Sequence, residues 1–510
     1  MNNKWIVALT LLLGSVSAQA AEMSGLETFS AHVDNTMKAI FGDYFVNIIF
    51  YSVPVGDASF PLIVGWLLIA ALVFTFYFGF IQFRQIKLSI DIVRGKYTDP
   101  NKKEPGEVSH FQALTTALSG TVGLGNIAGV GAALAIGGPG ATFWMIIVGL
   151  FGMATKFVEC TLGVKYRTIL PSGAVSGGPM YYLSRGLAER GMPGFGKFLA
   201  VAFALMTIIG CVGAGNMFQG NQSFAILSST FDIPNEYGVF FGIGLAILVG
   251  MVIIGGMPRI ATVTEKVVPF MAALYIGMSL IVIIANFGQL GAAFGEIFSG
   301  AFTGAGVAGG FVGALIQGLK RATFSNEAGV GSAAIAHSAV KTSEPATEGL
   351  VAFLEPFIDT VVICTMTALV ITLSGVNDLA NLQSQALTGV DLTRAAFMET
   401  SPIFQYFLAI AVVLFAFSTM ISWSYYGLKA WTYLFGEGDT KELIFKLIFC
   451  LFVIIGATIK FGFVIDFSDA GIFAMSIFNI IGLYFLMPVV KQEVNSFIAR
   501  VKSGEIKKFK

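Results

Sequence analysis

Charge is what this chain has least of. Asp, Glu, Lys and Arg make up 12% of its 510 residues, against about 25% in soluble domains. With 55% hydrophobic residues and a mean hydropathy of +0.80, this excludes a soluble enzyme, a disordered chain and a nucleic-acid binder. The 30 basic and 30 acidic residues cancel, so no acidic or basic domain hides in the average. Cysteine is scarce as well. Cys160, Cys211, Cys364 and Cys450 lie in apolar stretches without zinc-ligand spacing or a disulfide pattern, so they read as small core residues. The three histidines, His32, His110 and His337, are scattered. No metal-ligand cluster or nucleophile motif accompanies them, which argues against a membrane enzyme. A Walker A sequence is missing, against an ATP-driven pump, and so is a filter motif or charged ring, against a channel.

What is abundant is glycine, 60 residues in a mostly apolar chain, a composition of closely packed or broken membrane helices. Residues 1–20 read as a signal peptide, with Lys4, the apolar run Trp5 to Leu13 and the small-residue pattern Ala18-Gln19-Ala20. The run is too short to span, which favours cleavage over an anchor. Residues 21–61 then form an outer segment, amphipathic around Met37 to Phe50.

The remainder predicts eleven transmembrane helices, each about 20 apolar residues long. Pro61 to Phe83 is the first. Val108 to Thr155 holds no charged residue over 48 positions and is divided by Gly137-Gly138-Pro139-Gly140, which cannot continue a helix. Further spans fall near 198–222, 238–257, 267–287, 309–338, 350–374, 403–434, 441–460 and 468–489. Basic residues collect on one side. Arg84, Lys87, Arg94, Lys96, Lys102 and Lys103 follow the first span, and Lys491, Arg500, Lys502, Lys507, Lys508 and Lys510 lie in the tail 491–510. The opposite face carries only Lys38, Arg394 and Lys460. That bias places the tail in the cytoplasm and the mature N-terminus outside, in agreement with a signal peptide. A bacterial inner membrane is the expected location.

Asn126-Ile127-Ala128-Gly129-Val130-Gly131-Ala132-Ala133 recurs 200 residues later as Asn326-Glu327-Ala328-Gly329-Val330-Gly331-Ser332-Ala333. The copies fall in the second and seventh spans. Five spans separate their starts, so the two helices cross in opposite directions. An inverted repeat of five plus five helices, about 108–287 and 309–490, is a transporter architecture. Chance similarity in Gly/Ala-rich sequence is the competing explanation. Gly120, Gly123, Gly125 and Gly129 crowd ten residues of span two, and each costs a helix roughly 1 kcal/mol relative to alanine. Unwinding is therefore cheap there. Broken backbone at membrane depth is tolerated where it lines a cavity or is packed in protein. Close helix packing is the alternative use of these glycines.

These residues resemble a known family. Thr121-Val122-Gly123-Leu124-Gly125-Asn126-Ile127-Ala128-Gly129, Gly137-Gly138-Pro139-Gly140-Ala141, Gly177-Gly178-Pro179-Met180-Tyr181, Lys320-Arg321 through Gly331, Phe357-Ile358-Asp359-Thr360 and Ser418-Thr419 through Gly427 are similar to motifs of the alanine/glycine:cation symporters, also called sodium:alanine symporters. The likeness runs from about 62 to 490. It implies an all-α integral membrane protein of the leucine-transporter type, a 5+5 inverted repeat with one preceding helix, that moves small neutral amino acids with sodium. The signal and longer outer segment depart from that pattern.

The resemblance further implies a sodium site formed by backbone carbonyls of Thr121 and Val122 with the hydroxyls of Ser418 and Thr419. Oxygen ligands of this kind suit a hard cation. The substrate carboxylate would face Gly123, Gly125 and Asn126, with Asn126 also able to serve the cation. Trp423, one turn after Thr419, and Phe324 border the side-chain space; ordinary packing is the alternative for Trp423. Asn216 and Gln219, three apart, are expected on one face toward the substrate. Carboxylates in apolar spans need a cation, a proton or a base. Glu327 has Lys320 and Arg321 one to two turns away; Glu159 lies near the inner end of span three. Asp359 has no base within nine positions on its own helix, which leaves a second cation site or a neutral, hydrogen-bonded acid. The reading is a sodium-coupled symporter importing alanine or glycine by alternating access. Proton coupling and, less so, a channel are the alternatives. Sodium is the coupling ion, with no other cofactor, and the partners are the amino acid and the bilayer, with a monomer expected.

A cysteine placed at Lys96 is expected to react with an impermeant maleimide only after permeabilisation, and one at Asn377 in intact cells. Labelling of position 96 in intact cells would reverse the topology.

Overall fold

A computed structural model describes residues 25–55, 58–170, 173–303, 310–376 and 389–509. The expected signal peptide and Asn377 lie outside these residues. The described chain is helical apart from two short antiparallel hairpins, Ser52–Val55 with Ala58–Pro61 and Thr168–Ile169 with Val175–Ser176. Among the described residues, seven helices are long and apolar enough to cross a membrane, or eight when the bent pair His110–Thr121 and Gly125–Gly137 counts as one. The other expected spans fall on the shorter helix Leu62–Tyr77, on Gly310–Asn326 with Ala333–His337, and on Asp439–Thr458. Large apolar side chains such as Ile247, Ile284 and Leu447 point outward, an exposure that suits lipid rather than water.

The two expected breaks are present. The first broken helix starts at a capping box: Gln112 N–H donates to Ser109 Oγ at 3.2 Å, and Ser109 N–H to Gln112 Oε1 at 3.0 Å. It stops at Thr121, resumes as a π-helical turn Gly125–Gly129, and continues through Gly137, bent by 48°. The second stops at Asn326. Glu327, Gly329 and Gly331 then take φ of 56°, 93° and 91° before Ala333–His337 resumes. A glutamate at positive φ is uncommon, and the Asn326 side chain, accepting from Ala328 N–H at 2.9 Å, fixes the turn.

Contacts along the two broken helices run in opposite order. Val108 forms a parallel bridge with Val340. Gly125 lies against Phe324 and Ser325, Gly129 against Arg321 and Gly137 against Gln317. One number rises as the other falls, so the helices are antiparallel, as the repeat requires. The long helix Phe404–Phe435 packs beside the first. Ser119 Oγ donates to the Ser418 carbonyl at 2.6 Å, Thr419 Oγ1 to Ser119 at 3.0 Å and Ser422 Oγ to Thr116 at 2.9 Å. These bonds give carbonyls and hydroxyls partners away from water.

The C-terminal tail is pinned beneath the basic face. Lys508 and Lys96 reach the two oxygens of Asp91 at 2.6 and 2.7 Å, Phe509 N–H donates to the Lys96 carbonyl at 2.7 Å, and Arg500 grips Glu344 with both guanidinium nitrogens. The bond from Lys508, then that from Lys96, holds the Asp91 carboxyl down at about 2. A lowered carboxylate value gives a contribution present above the ordinary value of about 3.9 and lost as pH falls toward 2. Trypsin protection of the tail in inside-out vesicles is therefore expected to be the same at pH 5 and pH 8. Asp91→Ala should speed cleavage after Lys507 severalfold; unchanged protection would show that the latch does not hold the tail.

Candidate functional site

The first break frees the groups a helix would have consumed. Gly123 N–H does not close onto Ser119; it donates to Thr121 at 2.9 Å and to Asn126 Oδ1 at 2.9 Å. Leu124 N–H goes to Gln219 Oε1 at 3.1 Å. Val122, at ψ 82°, turns its carbonyl out of the ladder. The expected residues Thr121, Val122, Gly123, Gly125, Asn126, Gln219, Phe324, Thr419 and Trp423 are all buried around this point. A Cβ on Gly123 would sit 2.4 Å from Thr419 Oγ1, and one on Gly125 3.3 Å from Phe324 Cδ1. Both glycines thus keep the backbone open to a close neighbour. The Thr121 hydroxyl turns back onto its own helix, toward Ala117 and Leu118.

Asn126 ties the first break to two other elements. Its Nδ2 donates to Asp359 Oδ1 at 2.6 Å, in the π-helical turn Phe357–Cys364. Asp359 Oδ2 accepts from Ser325 Oγ at 2.8 Å and Thr360 Oγ1 at 2.7 Å. The carboxylate therefore joins both breaks through neutral hydrogen-bond donors, and its oxygens with the hydroxyls of Ser325 and Thr360 are of the kind a hard cation takes.

The structure departs from the sequence reading in three places. Asn216 and Gln219 do not share a face: Gln219 reaches the first break, whereas Asn216 Nδ2 donates to the Phe449 carbonyl at 2.7 Å. The cause is the π-helical turn Gly213–Met217, whose wider turn rotates positions three apart away from each other. Glu327 is not paired with Lys320 or Arg321. Those two bind Asp469, Lys320 at 2.8 Å, because the chain turns left-handed at Glu327 and swings its side chain off their helix. Glu327 instead accepts from Ser332 Oγ and from Trp423 Nε1, the latter at 3.0 Å. The Ser418 hydroxyl turns to the Phe415 carbonyl at 3.0 Å, and the Ser418 carbonyl is the group that accepts from Ser119 on the first broken helix. Glu159 Oε1 accepts from Asn479 Nδ2 at 2.7 Å, and the same amide donates to Gly329 at 2.9 Å. This connects Glu159 to the second break.

Sequence reading passed over several contributors. Gly215 lets Trp423 seat, since a Cβ there would lie 2.3 Å from the indole; a glycine within a Gly/Ala-rich span carries no signal of that contact. Phe218 packs edge-on to Phe324 at 5.2 Å, extending the aromatic wall. Trp423 and Tyr426 meet edge-on at 5.4 Å.

Comparison with known proteins bears on the family and the fold. The profile of the sodium:alanine symporter family matches residues 8–510. The sodium/alanine symporter AgcS of Methanococcus maripaludis is 41% identical over 438 residues, covering 86% of this chain and 94% of its own. A probable sodium/glutamine symporter, GlnT, of Bacillus subtilis is 34% identical, covering 87% and 89%. Among solved structures, MhsT in complex with L-phenylalanine superposes with a TM-score of 0.52 at 16% identity, covering 76% of this chain and 89% of its own. That likeness establishes a shared leucine-transporter-type fold.

Overpacked sites typically lose about 1–3 kcal/mol. Gly215→Ala is expected to lower the thermal unfolding midpoint of the detergent-purified protein by several degrees. Gly125→Ala, whose Cβ would meet the Phe324 ring and the Ser325 backbone at 3.3 Å rather than 2.3 Å, should lower it less. Equal midpoints for Gly215→Ala and the unmodified protein would remove Trp423 from its assigned seat.

Proposed function

The chain belongs to the sodium:alanine symporter family, and from that membership and the buried junction we propose that it imports a small neutral amino acid, alanine or glycine, driven by sodium. It is a multi-pass membrane transporter. Our reading gives it eleven crossings, the two inverted repeats, a tail on the cytoplasmic side and a place in a bacterial inner membrane. The observation that carries the substrate class is the pair of backbone amides at Gly123 and Leu124. The side chains that cap them are neutral, the carboxamide oxygens of Asn126 and Gln219, and Gly123 N–H is shared with the Thr121 carbonyl. A carboxylate is a stronger acceptor than a carboxamide and would replace one of these neutral caps without leaving an orphaned N–H. The N-terminal end of the segment that resumes at Gly125 favours the anion further.

Sodium supplies the counter-charge. Carbonyls of Thr121 and Val122 with the Thr419 hydroxyl form the first site in this reading, and Ser418 contributes from the same turn. Asp359 with Asn126 offers a second. Filling the junction with cation and carboxylate together costs less than either alone, because each neutralises the other in a low-dielectric interior. That is the physical basis of coupling. A membrane potential of 100 mV supplies about 2.3 kcal/mol per charge moved, roughly a fifty-fold concentration ratio. The wall of Trp423, Phe324 and Phe218 limits side-chain size, and Glu327 holds the Trp423 indole against that wall.

In proteoliposomes, labelled alanine uptake should require an inward sodium gradient. Glycine should compete, whereas leucine and alanine amide should not. Trp423→Ala should admit larger side chains. Thr419→Ala should raise the sodium concentration for half-maximal uptake severalfold while the protein still folds, since one hydrogen bond contributes about 0.5–1.5 kcal/mol. Equal competition by alanine amide would remove the carboxylate site, and sodium-independent uptake would remove the coupling.

A further inference from the structure

A second cluster of buried charge lies apart from the junction. His337 ends the second broken helix, and both its ring nitrogens face carboxylates. Nδ1 lies 2.5 Å from Glu348 Oε2 and Nε2 2.5 Å from Glu355 Oε1. All three residues are fully buried. The other oxygen of Glu348 is bonded to His110 Nδ1, and the other oxygen of Glu355 lies 3.2 Å from Lys156 Nζ.

The remaining charged and titratable groups around the ring come from every packed element. Helix Gly140–Lys165 adds Glu159 and Cys160, the latter with its sulfur within 4.8 Å of His337 and Glu355. Tyr426 approaches from the long helix. Arg167 closes the far side, donating to the carbonyls of Ser338 and Val340 at 2.7 and 2.6 Å. Both ring nitrogens are engaged by carboxylates and an ammonium lies beside Glu355.

The proton count follows from valence. A neutral imidazole has one N–H, and ionised carboxylates have none. One proton would leave a nitrogen lone pair facing a carboxylate lone pair at 2.5 Å, so the trio holds two. The same groups in water hold one above pH about 6.5, the ordinary imidazole value. Parting the trio into water therefore frees one proton. The way out is short. His110 borders a cavity of about 370 Å³ shared with Tyr97, Lys102 and the tail residue Lys507, on the face of the basic segments.

We infer that His337, Glu348 and Glu355 form a proton-binding site. It fills from water on the face of the basic segments, holds the inner half of the second broken helix shut, and returns its proton to the same water when that side opens. The proton is a gating ligand and is not carried across. This rests on the transport reading above, because it supposes that the inner half-helix moves. The closed form binds one more proton than the open form. Acid on that face therefore favours closure, and alkali favours opening by up to tenfold per pH unit above about 6.5, with no dependence below it.

The test reads opening without reading transport. Ser338→Cys places a thiol beside His337 in a buried position, and Lys341→Cys places one on the surface as a control for thiolate chemistry. In inside-out vesicles, the ratio of their labelling rates with an impermeant maleimide should rise up to tenfold per unit between pH 6.5 and 8. Glu348→Gln, whose carboxamide both donates and accepts, removes the need for the second proton and should flatten the ratio. Glu355→Gln gives the same test should that variant not fold. A ratio independent of pH in the otherwise unmodified protein overturns the inference, as does a full slope in the glutamine variants. Loss of alanine uptake with the labelling slope intact would fault the substrate reading and leave the proton site standing.

Discussion

Everything in this molecule depends on a single constraint: a backbone amide or carbonyl buried in a membrane must find a partner inside the protein. Two helices stop in mid-span, and the groups they release are satisfied by other strands of the fold. Asn126 and Gln219 cap the amides of the first break. Asn479 reaches the Gly329 carbonyl in the second. The hydroxyls of Ser119, Thr419 and Ser422 exchange bonds with carbonyls between the first broken helix and the long helix. Those partners are neutral and exchangeable, and in the transport reading proposed above they are the groups that a cation and a carboxylate displace.

Buried charge obeys the same economy with a different outcome. An isolated ion in this interior would cost several kcal/mol, so the carboxylates occur in company. Asp359 is surrounded by neutral donors, and Asp469 by Lys320 and Arg321. Glu348 and Glu355 bracket His337. Each arrangement ties one of the broken helices to a neighbour: Asp469 to the half of the second that precedes its break, the histidine cluster to the half that follows it, and Asp359 to both breaks at the centre. Movement of either half-helix would therefore break a defined set of charge-assisted bonds, which makes this packing a discrete arrangement rather than a loose one.

Much of this was legible along the chain. Low charge and long apolar runs required a membrane protein, because about 20 apolar residues are needed to span and charges are costly there. The glycine cluster at 120–129 marked the first break, since glycine is where a helix is cheapest to leave, and the repeat copy at 326–333 pointed to the second. The repeat at an offset of 200 residues and its odd span count required antiparallel copies, and the order of contacts from Val108–Val340 to Gly137–Gln317 has that sense.

Only the tertiary structure decided who meets whom. Lys320 and Arg321 are near Glu327 in sequence, yet a left-handed turn sends Glu327 to Trp423 and leaves the bases to Asp469. The π-helical turn at Gly213–Met217 separates Asn216 from Gln219, and no spacing rule anticipates an inserted residue in a turn. His110 and His337 look scattered, 227 positions apart, and converge on Glu348. Sequence periodicity determines which residues share a helix face and how deep they lie, because those follow from local geometry. The pairing of buried charges depends on how separate helices pack, and that is set by shape across the whole membrane domain.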